Sequence, residues 1–302
     1  MRCNLRTGLR ALALAAVATG AVVAGAIPGD SQETAGFSAT QVGGSAFGVQ
    51  ADVTRGFFDE GGAMLDVEGL LDATRNGDRE AAEQILSDAG VDVNASAPQG
   101  AAVSASVGPV PTVTLPPEGG GPFTDSVPGV DLAVGPVSIE ISGGIDVLTE
   151  GAIGRGGFST SSSRVTSFNP GEFKTLLFAA DLLETECSAD IASGPRGSTR
   201  FTAGESLDGD IPDLPAPNTV LLDESKEVSS GGGSILIDLF LVANEQTLTP
   251  NSITVSGARG AALIELRDAQ DNVIATISLN EVVSQSHCDI VLAPVVEPTF
   301  TG

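Results

Sequence analysis

The sequence predicts an all-β protein, an antiparallel β-sandwich that carries an inserted helix-turn-helix hairpin. Three observations lead to this prediction: short runs of apolar residues, often alternating with polar ones, turn-forming Gly, Pro, Ser and Asp between those runs, and one stretch with helical periodicity. Of the 302 residues, 41% are hydrophobic, which is enough to form a core. No repeat of fixed period is evident, which disfavours solenoids and propellers.

The first 26 residues have the features of a secretory signal peptide. Three arginines precede the apolar run "ALALAAVATGAVVAGA", and Ala24-Gly25-Ala26 supplies the small residues of a cleavage site. The run is short and rich in alanine, which disfavours a membrane anchor. We therefore expect residues 1–26 to be removed and a flexible lead-in to follow over 27–42. The mature protein is expected to be secreted or associated with the cell envelope, without membrane insertion.

The expected mature chain is strongly acidic. The sequence has 14 Lys and Arg against 39 Asp and Glu, and cleavage removes three arginines and no acid, which leaves 11 minus 39, or −28. Such a surface repels nucleic acid and anionic lipid, so neither is expected as a partner. Tyr and Trp are absent, which disfavours an aromatic sugar-binding platform, although 12 Phe remain.

We expect the sandwich domain to span residues 43–292 and a tail to follow over 293–302. Strand candidates occur throughout the domain. The segment "VSIEI" alternates as a half-buried strand does. The segment "GGGSILIDLFLV" is apolar on both parities apart from Asp238, which predicts a central strand covered on both faces. Prolines in "GPVPTVTLPPEGGGP" and "DIPDLPAPN" predict edge strands and connections, because proline lacks the backbone N–H.

The best hairpin candidate is "ALIELRDAQDNVIATISL". Its turn residues run from Asp268 to Asn272. After the turn, one face of the second strand consists of Val273, Ala275, Ile277 and Leu279.

Two cysteines remain after cleavage, Cys187 and Cys288. In an oxidising compartment two thiols most simply form one disulfide. Closing a loop of about 100 residues would stabilise the fold by roughly 4–5 kcal/mol in the chain-entropy model. The alternative is a catalytic pair of Cys288 with His287, the single histidine, but neighbours along a strand point to opposite faces and do not meet.

The stretch "DATRNGDREAAE", residues 72–83, allows an interpretation as a calcium loop. An EF-hand alignment gives the candidate ligands Asp72, Thr74, Asn76, Asp78 and Glu83. However, Arg79 stands where an aliphatic residue is usual, and no second loop is present to pair with this one. No metal cofactor is therefore favoured, and calcium is kept as the alternative.

A helical hairpin over residues 62–90 accounts for more of the sequence. Apolar residues fall at helical spacing on both sides of "RNGD", and Gly90 follows the second run. We expect helix through Asp72 to Thr74; an irregular insertion is the remaining alternative. The apolar stripe must pack on the β domain or on another molecule. It supplies the candidate partner-binding residues Met64, Val67, Leu71, Ile85 and Leu86.

Several segments of the sequence together resemble a known family. The segments "SAFGVQADV", "GPVPTVTLPPEGG", "TLLFAADLLETECSAD" and "NTVLLDESKEVSSGGGSILIDLFLV" are similar to successive blocks of the choice-of-anchor P family of secreted actinobacterial proteins. The resemblance covers most of residues 43–290, with an interruption near 55–98. It implies an exported, mainly β surface domain of unassigned activity, usually followed by an anchor. The ending "LAPVVEPTFTG" has no sorting motif, apolar span or basic tail, so the anchor is not carried over.

The inserted hairpin, at about 62–95, also resembles one ankyrin repeat. The similar phrases are "ATRNGD", "EA", "IL" and "AGVDVNA". The stretch lacks the "TPLH" entry and any following repeat, and one such unit cannot bury its stripe alone. The ankyrin recognition surface is therefore not carried over.

No residue set in the sequence predicts catalysis. No serine lies in a Gly-x-Ser-x-Gly motif, and a carboxylate pair such as Asp208 with Asp210 is expected by chance among 39 acids. The sequence therefore predicts an exported, non-enzymatic protein that acts as an extracellular or cell-surface structural or interaction module. Its partner would be an unidentified envelope or extracellular protein or glycan. The alternatives are a hydrolase that acts on polysaccharides through a carboxylate pair, and a calcium-dependent adhesion module.

Overall fold

The computed structural model describes residues 36–57, 62–95, 101–167, 173–230 and 232–295. These residues form three antiparallel sheets and two short helices, which confirms the predicted all-β, sandwich-like class. The predicted signal peptide lies outside the described residues. Neither helix in the described ranges is long and apolar enough to cross a membrane.

The main sheet has six long strands in the spatial order β14-β15-β16-β17-β1-β2. They are β1 (Phe37–Gly56), β2 (Val103–Leu115), β14 (Thr219–Ser230), β15 (Gly233–Leu248), β16 (Ser252–Asp268) and β17 (Val273–Pro294). The predicted start and end of the sandwich domain, residues 43 and 292, are wrong. Phe37 pairs with Pro294, so the first and last described strands both extend beyond these bounds. Strand β1 thus begins inside the expected lead-in, and β17 ends inside the expected tail.

Strands β16 and β17 form the predicted hairpin. The turn is fixed by the carboxylate of Asp268, which accepts hydrogen bonds from the backbone N–H groups of Gln270 (2.8 Å) and Asn272 (2.9 Å). Strand β15 is internal, as predicted, but it is covered on one face only: Ile237 and Leu239 are buried, whereas Asp238 is half-buried. The expectation of cover on both faces is wrong because no described layer lies on the outer face of the main sheet.

The facing sheet has five strands in the order β11-β10-β7-β6-β3. They are β3 (Gly119–Val127), β6 (Ile145–Ala152), β7 (Phe158–Thr166), β10 (Leu182–Asp190) and β11 (Gly194–Thr202). This sheet packs against one half of the main sheet through β1, β16 and β17. The layer between the two sheets includes small and polar side chains. The Oγ of Ser284 bonds with Thr185 Oγ1 (3.1 Å) and donates to the carbonyl of Ser163 (3.0 Å).

The small sheet covers the other half of the main sheet together with the helices. Its order is β13-β12-β9-β8-β5-β4. The strands are β4 (Val130–Val134), β5 (Val137–Ile141), β8 (Phe173–Lys174), β9 (Phe178–Ala180), β12 (Glu205–Ser206) and β13 (Gly209–Asp210). Strand β5 is the predicted "VSIEI" strand, with Val137, Ile139 and Ile141 buried. One core cluster joins these residues to the main sheet, the helices and one end of the facing sheet.

A break in the strand pairing crosses the main sheet at one level, with the same register on both sides of it. The pairing passes over Gly48, Asn244, Gly257 and Ser284 there, and over Pro111 in the edge strand β2. Asn244 (φ 52°) and Ser284 (φ 61°) lie in the left-handed region there. The inward-pointing residues of β17 have odd numbers before the break, as Val283 does, and even numbers after it, as Ser286 does. The break therefore lets one long sheet keep a single buried face.

Prolines lie at the sheet edges, as predicted. Strand β2, an edge of the main sheet, contains Pro109 and Pro111, and the edge strand β3 of the facing sheet contains Pro122. Edge positions tolerate proline because one side of the strand needs no hydrogen-bond donor. The segment "DIPDLPAPN" connects β13 to β14, which agrees with the predicted connection.

The inserted segment forms the predicted helical hairpin, with α1 (Val67–Arg75) and α2 (Arg79–Asp88). Asp66 caps α1 by accepting from the backbone N–H of Gly69 (2.9 Å), and Asp78 caps α2 by accepting from that of Ala81 (3.1 Å). Gly77 supplies the positive φ (69°) that the tight turn between the helices requires. Both helices contact β14, so the hairpin lies at the edge of the main sheet opposite β2.

Candidate functional site

The five candidate calcium ligands do not form an EF-hand loop. Asp72 and Thr74 are helical, as expected, and the Thr74 hydroxyl donates to the carbonyl oxygens of Leu70 (2.9 Å) and Leu71 (2.8 Å). The other three candidates have structural roles in the hairpin. Asn76 is the C-cap of α1, Asp78 caps α2, and Glu83 pairs with Arg79. The EF-hand alternative is therefore wrong, because a helix cannot wrap around an ion. Within the described ranges, no three His, Cys, Asp or Glu side chains are grouped to hold a metal.

The candidate partner-binding stripe is mostly covered by the protein itself. Val67, Leu71 and Leu86 are buried in the core cluster that includes the main sheet, and Ile85 is half-buried against it. Only Met64, at 58% exposure, faces outward among the five. The stripe therefore braces the β domain, and its buried residues are not free to contact a partner.

The two cysteines lie opposite each other between the main and facing sheets. The sulfurs of Cys187 in β10 and Cys288 in β17 are 2.05 Å apart, in keeping with the predicted disulfide. The neighbouring His287 points to the outer face, where its Nδ1 lies 2.9 Å from the hydroxyl of Thr254. The separation of His287 and Cys288 to opposite faces agrees with the argument against a catalytic pair.

The carboxylate pair considered for hydrolysis is partly used in an ion-pair network. Asp208, in the turn between β12 and β13, lies 2.7 Å from Nη2 of Arg75 at the end of α1. The same Nη2 lies 3.0 Å from Glu224 of β14. These contacts tie α1 to the small sheet and to the main sheet. Asp208 therefore has a structural role here.

A polar depression of about 210 Å³ lies on the outer face of the main sheet. Outward side chains from β1, β15, β16 and β17 line it: Gln50, Asp52, Phe240, Arg259, Ala261, Asn280 and Val282. The strand register places them in two rows. One row, beside the break in the strand pairing, consists of Gln50, Val282 and Arg259, and the next row consists of Asp52, Asn280, Ala261 and Phe240. The depression exists because Ala261, the residue between Asn280 and Phe240, is small.

Three polar side chains at this depression have no partner within the described part of the protein. Gln50, Asp52 and Asn280 are exposed, and none of them makes a hydrogen bond or ion pair with another described residue. The two amides each present a donor and an acceptor, and the carboxylate of Asp52 presents acceptors. The depression therefore offers hydrogen-bonding groups of both kinds to a ligand.

Arg259 is held in a fixed position at the depression. Its guanidinium lies over the ring of Phe240, 5.7 Å from the ring centre, and its Nε lies 2.9 Å from Oε2 of Glu245. The contact with Glu245 is an ion pair and not a well-aligned hydrogen bond. No described residue accepts from the terminal amino groups of Arg259, so they remain available as donors.

The outer face of the facing sheet has a second hollow, of about 460 Å³. Serine and threonine residues are frequent in its lining, with Glu186 and Arg196 beside them. Here the guanidinium is already bonded internally: Nε of Arg196 donates to Ser188 Oγ (2.9 Å), and its Nη2 lies 3.3 Å from Asp190. The depression on the main sheet is the better candidate because Gln50, Asp52 and Asn280 have no partner among the described residues.

The fold and this site define a disulfide-linked, antiparallel β-sandwich protein with an open polar depression on its main sheet. Comparison of the chain with models of protein families, with curated proteins and with solved structures found no match. The resemblance to the choice-of-anchor P family stays a prediction.

Proposed function

We propose that this protein is an extracellular or cell-surface interaction module that binds a component of the cell envelope without transforming it. The unpaired polar side chains around the depression on the main sheet carry this proposal. Their backbone is rigidly positioned, because all four strands that supply them pair with both neighbours in the sheet. Such pre-organisation reduces the entropy lost on binding.

The expected location outside the cytoplasm rests on the N-terminal sequence and on the paired cysteines. Residues 1–26 have the pattern of a secretory signal, and disulfides persist in oxidising compartments. Detection of the protein in the culture medium or envelope fraction of its native host, without residues 1–26, would support this location. Full-length protein confined to the cytoplasm would contradict it.

A sedimentation assay tests the proposed binding. Purified protein with its disulfide intact is mixed with separate insoluble envelope fractions, one of polysaccharide and one of protein. We expect it to sediment with at least one fraction, and reduced, heat-unfolded protein serves as the control. If the folded protein stays in solution with every fraction, the proposed function is wrong.

A further inference from the structure

We propose that the depression on the main sheet binds one residue of a neutral polysaccharide. This inference rests on the proposed function and narrows its ligand. The hydrogen-bonding inventory points to hydroxyl groups. Asp52 only accepts, Arg259 only donates, and the amides of Gln50 and Asn280 do both. A hydroxyl both donates and accepts, so vicinal hydroxyls on one sugar ring match this mixed set.

The charge around the depression disfavours an anionic ligand. Arg259 is paired with Glu245, and Asp52 has no cationic partner among the described residues. The site therefore has a surplus of negative charge on a protein whose formal net charge is −25 over the full sequence. Uronate-containing and phosphate-containing polymers would be repelled. A cationic polymer would be attracted by the acidic surface as a whole, so its binding would not report on this site. A neutral sugar is therefore the ligand that the hydrogen-bonding groups of the depression match best.

The apolar part of the lining suits the C–H groups of a sugar. Ala261 forms the floor, Val282 lies in the row beside it, and Phe240 is half-buried at the rim. One ring face of Phe240 is under the guanidinium of Arg259, so the ring contributes an edge and not a stacking platform. A shallow site with polar groups around a small apolar floor fits one sugar unit of a longer chain.

Affinity electrophoresis tests this inference with the full purified protein. Native gels contain a neutral mannan, β-glucan or galactan, or polygalacturonate as the anionic probe. We expect retardation by at least one neutral polysaccharide and none by polygalacturonate. Asn280→Ala should raise the Kd about fivefold, as expected for one hydrogen bond to a neutral group.

Two matched variants separate this site from the rest of the surface. Ala261→Leu fills the floor of the depression and should weaken binding at least about tenfold, since a bulkier side chain excludes the ring. Ser162→Leu introduces the same side chain into the hollow on the facing sheet and should leave the Kd unchanged. Thermal unfolding of each variant checks that the fold is intact.

Several outcomes would overturn the inference. They are unchanged binding by Ala261→Leu, loss of binding by Ser162→Leu in its place, a preference for polygalacturonate, or binding to envelope protein alone. If the protein sediments with an envelope fraction but any one of these outcomes is found, the proposed function stands and the assignment of the sugar site is wrong. If it sediments with no fraction and no polysaccharide retards it, both proposals are wrong.

Discussion

Glu281 is a carboxylic acid enclosed in the core of the main sheet. It is 2% exposed, and neither carboxylate oxygen makes a well-aligned hydrogen bond with a described residue. Burial raises its pKa to about 7, and the nearby hydroxyl of Thr175 lowers it in part. The space for its side chain comes from Gly260 on the neighbouring strand, where a Cβ would lie 2.8 Å from Oε1 of Glu281.

The raised pKa of Glu281 makes the stability of the protein depend on pH. Its ordinary pKa is 4.5, so between pH 4.5 and 7 the folded protein holds a proton that the unfolded chain releases. The contribution to the free energy of unfolding is present below pH 4.5 and is lost as the pH rises to about 7. The loss is about 3 kcal/mol at 1.36 kcal/mol per pKa unit.

Glu281→Gln should remove this dependence, because an amide of similar shape does not ionise. Urea unfolding of parent and variant at several pH values measures it. Relative to the parent, the variant should gain about 3 kcal/mol of unfolding free energy between pH 4.5 and pH 8. Asp131→Asn, at an exposed acid, is the control and should show no such gain. A constant difference between parent and Glu281→Gln across this range would contradict the prediction.

The sequence contained a sign of this buried acid. The alternation that places Ile277 and Leu279 on the buried face continues to Glu281 and Val283. Its burial could be expected from that parity, but its pKa depends on Gly260 and on the turn around Thr175, which are distant in sequence. The sequence pattern alone does not show which residues lie next to it.

At the scale of elements, Arg75 joins three parts of the fold. It ends α1 and contacts Asp208 in the small sheet and Glu224 in the main sheet. Hydrogen bonds to these two carboxylates raise the pKa of Arg75 above its ordinary value. The guanidinium is partly exposed, so its net contribution is modest and is reduced by salt.

Arg75→Ala should lower the free energy of unfolding by about 1 kcal/mol, since it removes both contacts and leaves two carboxylates close together. Relative to the parent, the variant should show faster amide hydrogen exchange in α1 and α2, and the increase there should be larger than in the main sheet. The effect should decrease in 1 M salt. Arg200→Ala, at an exposed arginine on the facing sheet, is the matched control. Equal exchange in parent and Arg75→Ala would show that the contacts do not hold the hairpin.

Elements with a strong local pattern were predicted, and elements defined by distant partners were not. The helical hairpin, the β16–β17 hairpin and the proline edges followed from spacing and turn chemistry. The short strands β8, β9, β12 and β13 have two or three residues each and exist only through their neighbours. The break in the strand pairing was also not predicted, because it depends on residues of five strands lying at the same level of the sheet.

At the scale of the molecule, the disulfide joins the two layers of the sandwich. It links β10 of the facing sheet to β17 of the main sheet across a sequence separation of 101 residues. A cross-link over so long a loop restricts the unfolded chain strongly. The disulfide should therefore contribute much of the stability that separates the folded from the unfolded protein.

Replacement of both cysteines, Cys187→Ala with Cys288→Ala, should lower the free energy of unfolding by about 4 kcal/mol in the chain-entropy model. Urea unfolding of oxidised parent, reduced parent and the double variant measures the effect. The reduced parent and the variant should agree with each other and differ from the oxidised parent. A loss below about 1 kcal/mol would show that the cross-link adds little.

The polar depression could not be found from the sequence. Its side chains come from four strands, and Gln50 and Asn280 are separated by most of the chain. Each residue occupies an ordinary outward position in its strand. Only the pairing of β1 with β17, and of β17 with β16, brings them together.

That pairing of β1 with β17 also has a consequence for how the chain acquires its structure. The first strand of the main sheet lies between the last strand and β2, so the middle of the sheet combines the two ends of the described chain. Ribosomal synthesis delivers β17 after the other strands of the described residues. Until then β1 lacks its longest neighbour, and a chain still being made cannot complete its native architecture. Such non-local topology slows folding and keeps the growing polypeptide open for transport or for chaperones.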